Sequence, residues 1–343
     1  MRVLLDTTYA ARGPSGTGVY LAQLSAALRA LGVDVLEAAD PRRGAPAGGG
    51  LGSLRNWAED RRWIALELPR RARAARAGVI HHPLPAHAPL CRTPQVITVH
   101  DLGFERLPAH FDPRFRAFAR RAHRSAARAA SAVVCVSEAT AADVRALWGV
   151  PPGRVVVAPH GPGQPLQLPR RGRPRHLLYV GDAEPRKNLP ALLDAYARHR
   201  ARAPAPLPLR LAGRLRLGGL PPGVEVEAAP GPERLAELYA GAAALVHPSL
   251  HEGFGLTLAE AMAAGVPVAA GRSPGVTETC GEAALYFDPR DPEDGARALD
   301  AITADAALRR RLAARGRRRA AELSWERSAR AHLRAYTLAA ESP

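Results

Sequence analysis

The chain has 343 residues, 47% of them apolar, with 31 glycines and 32 prolines scattered without a period. That composition excludes wholesale disorder and collagen-like repeats, and the length suffices for two domains with cores of their own. Basic residues outnumber acidic ones by 48 to 32, a net charge of +16, which points to anionic ligands: phosphorylated substrates, nucleic acid or anionic lipid.

Met1–Asp6 reads as a buried strand, not a leader, and no window holds 18 uncharged apolar residues. Cys91, Cys135 and Cys280 are odd in number and far apart. They suit small core residues in a reducing compartment better than a disulfide framework or metal site. A cytoplasmic protein is expected. Lys187 is the only lysine. With Arg in every other basic position and Ala, Gly and Pro abundant, much of the positive charge reads as a GC-rich codon bias on solvated faces.

In chain order, strands are expected at Val3–Leu5, Val33–Leu36, Val79–His81, Val96–Val99, Ala132–Val136 and Val155–Ala158. Helices fall between them at Val19–Leu31, Pro113–Ala129 and Ala141–Leu147, and the Gly- and Pro-rich stretch Arg42–Ser53 reads as a surface loop. His160–Pro174 has no periodicity and reads as an interdomain linker. Alternation then restarts: strand Leu177–Val180, helix Leu189–Arg200, strands Leu209–Leu211 and Val224–Glu227, helix Leu235–Tyr239, strand Ala244–His247 and a helix from Leu256. Strands Val266–Ala269 and Leu285–Phe287 follow, then an Arg-laden helix over Leu308–Arg319 and a last helix opened by Ser324. Strands alternating with helices mean parallel sheets wrapped by helices, here two α/β domains whose ligand lies at the carboxyl ends of the strands.

Three strand-to-helix junctions carry chemistry. Gly13-Pro14-Ser15-Gly16-Thr17-Gly18 lets backbone amides approach an anion at a helix start, although such loops often only make a tight turn. Gly181-Asp182-Ala183-Glu184-Pro185-Arg186-Lys187-Asn188 places two adjacent cations at a strand mouth, where they can neutralise a diphosphate. In a chain that otherwise uses Arg throughout, a Lys there argues for a role Arg does not fill. The strongest is His251-Glu252-Gly253-Phe254-Gly255-Leu256-Thr257-Leu258-Ala259-Glu260. Carboxylates accept paired hydrogen bonds and so clamp vicinal hydroxyls of a sugar or ribose. Glu260 is also an ordinary acid near a helix start.

Together these segments resemble the retaining glycosyltransferases of family 4, the group 1 transferases, over nearly the whole chain. The span Glu252–Glu260 matches their E-x7-E motif, with Ala261–Pro267, Gly281–Leu285, Val99–Leu102, Val136–Glu138 and Glu184–Asn188 in family order. The resemblance implies a GT-B fold: two Rossmann-like α/β/α domains facing across a cleft. Residues 1–163, completed by a C-terminal helix over 324–343, would take the acceptor, and residues 164–323 the nucleotide sugar.

It further implies that Glu252 binds the transferred sugar near its C3 and C4 hydroxyls and that Glu260 holds the ribose. Arg186 and Lys187 would flank the diphosphate, joined by backbone donors of Phe254, Gly255 and Leu256. His100 would face the sugar and its phosphate, and Gly16 and Gly18 would lie near the diphosphate. Two departures stand out. Asp182 sits where some members have a base, so that either a phosphate contact is lost or Asp182 points away. His160 sits where many have Asn. No D-x-D triplet occurs, so no metal or other cofactor is expected, and Arg186 and Lys187 would stand in for a divalent ion. The implied reaction moves a hexose with retention, first of all mannose from GDP-mannose, to a glycan or lipid-linked acceptor.

Residues 1–163 carry 22 arginines against 12 acids, so the acceptor half holds most of the excess charge. Pro113–Arg128 sets Phe111, Phe115, Phe118 and Ala122 at helical spacing among six arginines. We read this as a surface helix packing its Phe stripe on the sheet; the alternative is a helix lying on anionic lipid, with peripheral contact at the inner face of the membrane. Three rival classes stand against this reading. A basic nucleic-acid- or membrane-binding protein without transferase activity has charge in its favour, but aromatics are 5% and the arginines are dispersed; nucleic acid is not expected as a partner. A GT-B nucleotide-sugar epimerase would lack E-x7-E, and a silent homologue is disfavoured by intact Glu252 and Lys187.

Overall fold

The structure is a computed structural model that describes residues 1–10, 15–42, 50–163, 173–215 and 218–341, with the side chains of 50–54 left aside. The chain divides into two compact units. Unit 1 comprises Met1–Glu105, Asp112–Gly163 and Ser324–Pro343; unit 2 comprises Arg106–Phe111 and Gln164–Leu323. The short segment Arg106–Phe111 thus groups with the second unit although it lies inside the first in sequence.

In unit 1, β1 (Arg2–Asp6), α1 (Gly16–Ala30), β2 (Asp34–Ala38), α2 (Gly50–Arg62), α3 (Leu68–Ala74), β3 (Val79–His82) and β4 (Gln95–Val99) are followed by the short turn α4 (Gly103–Arg106). Then come α5 (Pro113–Ala129), β5 (Ala132–Cys135), α6 (Glu138–Asp143) and β6 (Val155–Val157). The six strands form one parallel sheet in the order β2-β1-β3-β4-β5-β6.

Period-2 alternation divides their apolar residues between two faces. Val3, Leu5, Val79, Val96 and Val134 pack with Tyr20, Leu24 and Leu28 of α1, whereas Leu4 and Ile80 pack with Trp63, Leu68 and Ala72. The helical stretch over 50–74 was not foreseen from the sequence. A π turn at Trp63–Glu67 inserts a residue between its helices, so Trp63 and Leu68 fall five apart and the 3.6-residue period is broken. It also replaces the end of the expected loop Arg42–Ser53, of which 43–49 lie outside the described residues.

Unit 2 repeats the plan: β7 (His176–Val180), α7 (Leu189–Arg202), β8 (Leu209–Gly213), β9 (Val224–Ala228), α8 (Pro232–Gly241), β10 (Ala242–His247) and α9 (Leu256–Ala263). After these come β11 (Val268–Gly271), α10 (Pro274–Cys280), β12 (Ala284–Phe287), α11 (Pro292–Ala304) and α12 (Ala306–Glu322). Its parallel sheet runs β12-β11-β10-β7-β8-β9. Leu177, Tyr179, Leu211 and Val246 pack with Leu192 and Tyr196 of α7 and Leu299 and Ile302 of α11. The helices α10 and α11 were missed in the sequence.

The last helix, α13 (Trp325–Glu341), starts at Ser324, whose Oγ accepts from the Arg327 amide, and belongs to unit 1. Ala331, Ala335 and Tyr336 join the core beneath α1. A buried polar chain fixes it there. His332 Nδ1 donates to the Ser328 carbonyl at 2.8 Å, leaving Nε2 to accept from Tyr20 Oη at 2.9 Å. Tyr20 Oη also meets Thr98 Oγ1 at 2.8 Å, and His81 Nδ1 meets Tyr336 Oη at 2.7 Å. His160, the second departure from the family, is buried and stacked on Trp325 at 5.2 Å. It is a packing residue of unit 1.

The expected packing of α5 is overturned. Its buried residues are Ala119, Ala126 and Ala127, while Phe115 and Phe118 are half exposed. Alanines let the helix axis come close to its neighbours, and the bulkier Phe side chains are left at the rim.

Candidate active site

In unit 2 the strand order reverses between β7 and β10, which lie side by side while their successors run in opposite directions across the sheet. Such a switch point opens a crevice at the carboxyl ends of the strands. The two loops leaving it are the two segments singled out by charge: Gly181–Asn188 after β7, and Pro248–Gly255 after β10.

Local geometry holds both loops. Pro185 opens a one-turn 3-10 helix over Pro185–Lys187, and Asn188 closes it in the left-handed region at φ 54°. The Asn188 amide side chain donates to the Pro289 carbonyl at 2.6 Å, and the Arg186 carbonyl accepts from the Leu250 amide at 2.9 Å, tying one loop to the other. Gly255, at φ 85°, turns the second loop into α9, a conformation that disfavours any side chain. Gly275 supports that loop from behind: a Cβ there would lie 2.0 Å from the Glu252 carbonyl oxygen, so only glycine fits.

The outcome is a buried carboxylate clamped by two cations. Glu252 is 6% exposed. Its Oε1 accepts from Lys187 Nζ at 2.5 Å and its Oε2 from Arg186 Nη1 at 2.8 Å. Burial works to raise its pKa, but the charges of Lys187 and Arg186 outweigh it and hold the carboxyl well below the usual carboxylate range. His247, the last residue of β10, is buried with Nε2 3.3 Å from Glu252 Oε1, without the alignment of a hydrogen bond. Burial pushes this imidazole down despite the carboxylate, which keeps it neutral. Arg186 also holds Glu184 through Nε at 2.8 Å.

Asp182 turns away from this group. Its carboxylate accepts from the Arg214 backbone amide at 2.9 Å and from Arg214 Nη2 at 2.6 Å. The acid that stood out in the sequence is therefore spent on Arg214.

Glu260 lies in the second turn of α9, where Oε2 accepts from Tyr239 Oη at 3.0 Å. Tyr239 is fully buried, and burial together with the charge of Glu260 pushes its phenol well above the ordinary value, so it stays a donor. The Phe254 carbonyl is held by Thr279 Oγ1 at 2.6 Å. The amides of Gly255 and Leu256 at the start of α9 have no acceptor among the described residues. Ser249 Oγ, Thr257 Oγ1 and Ser273 Oγ, on the segments around Glu252, are buried without a hydrogen-bond partner among the described residues. Buried polar atoms are almost always paired, so these three hydroxyls are donors and acceptors open to water or to a polar ligand. Among the described residues no group of three His, Cys, Asp or Glu could hold a metal ion.

His247, Ser249, Thr257, Ser273 and Tyr239 were all missed in the sequence. The cue for Ser249 and His247 was available, since both sit between a strand end and Glu252. Ser273 and Tyr239 arrive only through tertiary packing.

The remaining candidates belong to unit 1. Gly16 and Gly18 open α1, where Ser15 is the N-cap and its Oγ already accepts from the Gly18 amide at 3.1 Å; Gly13 and Pro14 lie outside the described residues. His100 follows β4, and its Nε2 donates to the Pro83 carbonyl at 3.0 Å. A carbonyl only accepts, so the proton is assigned to Nε2 and Nδ1 carries a lone pair. Burial pushes the ring pKa down. A neutral imidazole with an open Nδ1 accepts from a hydroxyl; it does not neutralise phosphate.

Known proteins resemble this chain in sequence and in fold. Residues 164–319 match the family described as Glycosyl transferases group 1, and residues 14–161 match Glycosyltransferase Family 4. The chain is 31% identical over 277 residues to O-antigen chain mannosyltransferase B of Escherichia coli, covering 71% of this chain and 70% of that protein. It is 33% identical over 217 residues to the MMP alpha-(1->4)-mannosyltransferase of Mycolicibacterium hassiacum, covering 58% of this chain and 52% of that protein. Among solved structures, sucrose-phosphate synthase from Thermosynechococcus elongatus has a TM-score of 0.76 at 22% identity, over 98% of each chain. Anabaena HepE, solved with UDP and glucose, has a TM-score of 0.66 at 18% identity, over 94% of this chain and 95% of that one. The structural likenesses establish the GT-B fold, and the sequence matches show that this chain belongs to the group 1 glycosyltransferases of family 4.

Proposed function

We propose that the protein transfers a hexose from a nucleotide sugar to a glycan or lipid-linked acceptor, with retention of configuration and without a metal ion. The first donor assigned is GDP-mannose, a reading supported by the names of two relatives and by the Glu184–Asn188 segment. The observation that carries the proposal is the clamp of Lys187 and Arg186 on Glu252 at the β7/β10 switch point.

Without a ligand the carboxylate neutralises the two cations. A diphosphate arriving beside them competes for the same charges, and the carboxylate is then released toward the sugar hydroxyls. In the reaction the bond between the anomeric carbon and the phosphate oxygen breaks with oxocarbenium character. Negative charge grows on the departing diphosphate, where Lys187, Arg186 and the Gly255 and Leu256 amides stabilise it. The acceptor oxygen bonds to the anomeric carbon on the face the phosphate leaves, and its proton passes to the leaving phosphate oxygen. His100 Nδ1 accepts from a donor-sugar hydroxyl, and Glu260 holds the ribose. Among the described residues no helix is long and apolar enough to cross a membrane. We place the enzyme in the cytoplasm, free or in peripheral contact with the inner face of the membrane.

Calorimetric titration with GDP, UDP and ADP in EDTA tests this reading. GDP should bind most tightly and without added metal. Preference for UDP would replace the donor, and failure of all three to bind would remove the clamp from the mechanism.

A further inference from the structure

Three side chains surround the Glu252 carboxylate, and the proposed exchange with a diphosphate employs only two of them. Lys187 Nζ at 2.5 Å and His247 Nε2 at 3.3 Å share Oε1, while Arg186 Nη1 at 2.8 Å holds Oε2. The three differ in where they stand. Lys187 and Arg186 lie on the loop after β7 with side chains 12% and 16% exposed, and they end long, rotatable stems. The His247 side chain is 2% exposed. Its residue closes β10, a strand paired on both sides, in register with Ala270 of β11. The cations can turn to a ligand in the crevice, and the imidazole cannot follow them.

The free protein leaves this third contact unused. His247 Nε2 is buried without a hydrogen-bond partner among the described residues, although a carboxylate oxygen lies 3.3 Å away. Buried polar atoms are almost always paired. An orphan beside an oxygen already taken by an ammonium points to a second arrangement, in which the pair closes. A carboxylate only accepts, so a neutral ring facing it is served by the tautomer with its proton on Nε2. Drawing off both cations would otherwise strand a buried carboxylate, which is costly. Among the described residues His247 is then the side chain left within reach of it.

We infer that His247 is a positioning residue for Glu252: when a diphosphate takes Lys187 and Arg186, the Nε2–H of His247 closes on Oε1 and holds the carboxylate with Oε2 turned to the sugar. This role rests on the proposed transfer reaction and gives the two carboxylate oxygens different tasks. Oε1 is anchored to the sheet. Oε2, which among the described residues only Arg186 holds in the free protein, accepts from a sugar hydroxyl. His247 itself touches neither sugar nor phosphate.

Two variants separate positioning from packing. On a buried central strand leucine is the better filler, whereas glutamine fills it less well but carries an N–H near the place of Nε2. His247→Gln should therefore keep donor turnover within about threefold of wild type, and His247→Leu should lower kcat by about tenfold with little change in KM. Turnover of the Leu variant equal to or above that of the Gln variant would make His247 a packing residue and overturn the role. A second readout needs no turnover: the full chain labelled with 15N-histidine, in which the His247 ring is identified by its loss in His247→Gln. Its proton should sit on Nε2, and that N–H resonance should move downfield when GDP or inorganic pyrophosphate is added. A proton on Nδ1, or an unmoved resonance while calorimetry shows GDP bound, overturns the role and leaves the transfer reaction standing. Failure of GDP, UDP, ADP and pyrophosphate alike to bind removes the proposed reaction and this role together.

Discussion

Each unit buries a polar cluster near the carboxyl end of its sheet, and the two clusters solve the burial problem in opposite ways. Around Glu252 in unit 2 the groups are charged, and two cations hold the carboxylate ionised. Around Tyr20 in unit 1 the groups are neutral, and burial holds His81, His160 and His332 deprotonated. Burying charge is costly unless it is paired, and pairing survives only while no better partner arrives. On the proposed reading the charged cluster is a binding device, whose internal pairs a diphosphate would exchange. The neutral cluster is a structural device, whose hydrogen bonds fix the last helix and the stacking around His100.

The largest effect should come from removing the carboxylate. Glu252→Ala should lower transfer by roughly a thousandfold if, as proposed, this carboxylate faces the reacting sugar. The same change frees Lys187 and Arg186, so affinity for GDP should hold or tighten. Parallel turnover and calorimetry decide the matter: weaker GDP binding would mean that Glu252 supports the cations and does not compete with the ligand.

Acid should separate the two clusters. His332 of the Tyr20 cluster, and His82, which is paired to Gln95 elsewhere in unit 1, are pushed down to about 4 by burial, against about 6.5 for an unfolded histidine. Between those values the unfolded chain binds protons that the folded chain refuses. Stability is thus complete above pH 6.5 and falls as pH drops toward 4, by up to about 3 kcal/mol for each such histidine. Urea unfolding at pH 7 and pH 4.5 should show that loss, and His332→Gln should shrink it. Glu252 is shifted in the same direction but lower on the pH scale, since its unfolded carboxyl takes up protons only around and below 4.5. Its depressed pKa keeps it ionised, so its clamp persists when the histidine network has weakened. Equal slopes for wild type and His332→Gln would contradict the assignment of neutral, strained-by-acid histidines to unit 1.

Lys187→Ala should weaken GDP binding by about tenfold to a hundredfold, the loss of one charge-assisted contact in a largely buried setting. Guanosine, which lacks the diphosphate, should lose little. Equal losses for both would mean that Lys187 only holds the loop.

Much of this was legible in advance. The strand-helix alternation, Glu252, Glu260 and the Arg186-Lys187 pair are local features, set by residues adjacent in sequence. Asp182 was flagged as an anomaly, but its partner Arg214 lies on the neighbouring strand's exit, which no local pattern reveals. The misreading of α5 has a different cause. Ranking residues by hydrophobicity put Phe115 and Phe118 inward, whereas close approach of the helix favours Ala119, Ala126 and Ala127. At 50–74 the π turn shifted the apolar period and hid a helix that buries Trp63.

Tyr239, the hydrogen-bond partner of Glu260, gives the smallest expected effect. Its phenol reaches Glu260 from α8, a helix with no motif of its own, and holds one carboxylate oxygen at 3.0 Å. If Glu260 clamps the ribose, Tyr239 is a positioning residue: it fixes the carboxylate's plane without touching the nucleotide. Tyr239→Phe keeps the ring in the core and deletes only the hydrogen bond, a change of about 1 kcal/mol or roughly fivefold in affinity. The loss should appear for GDP and vanish for 2′,3′-dideoxy-GDP, which has no hydroxyls for Glu260 to hold. A merely structural role for the phenol would weaken both ligands alike. That pair of titrations separates a tuned clamp from a packing tyrosine, even where the effect on turnover is too small to read.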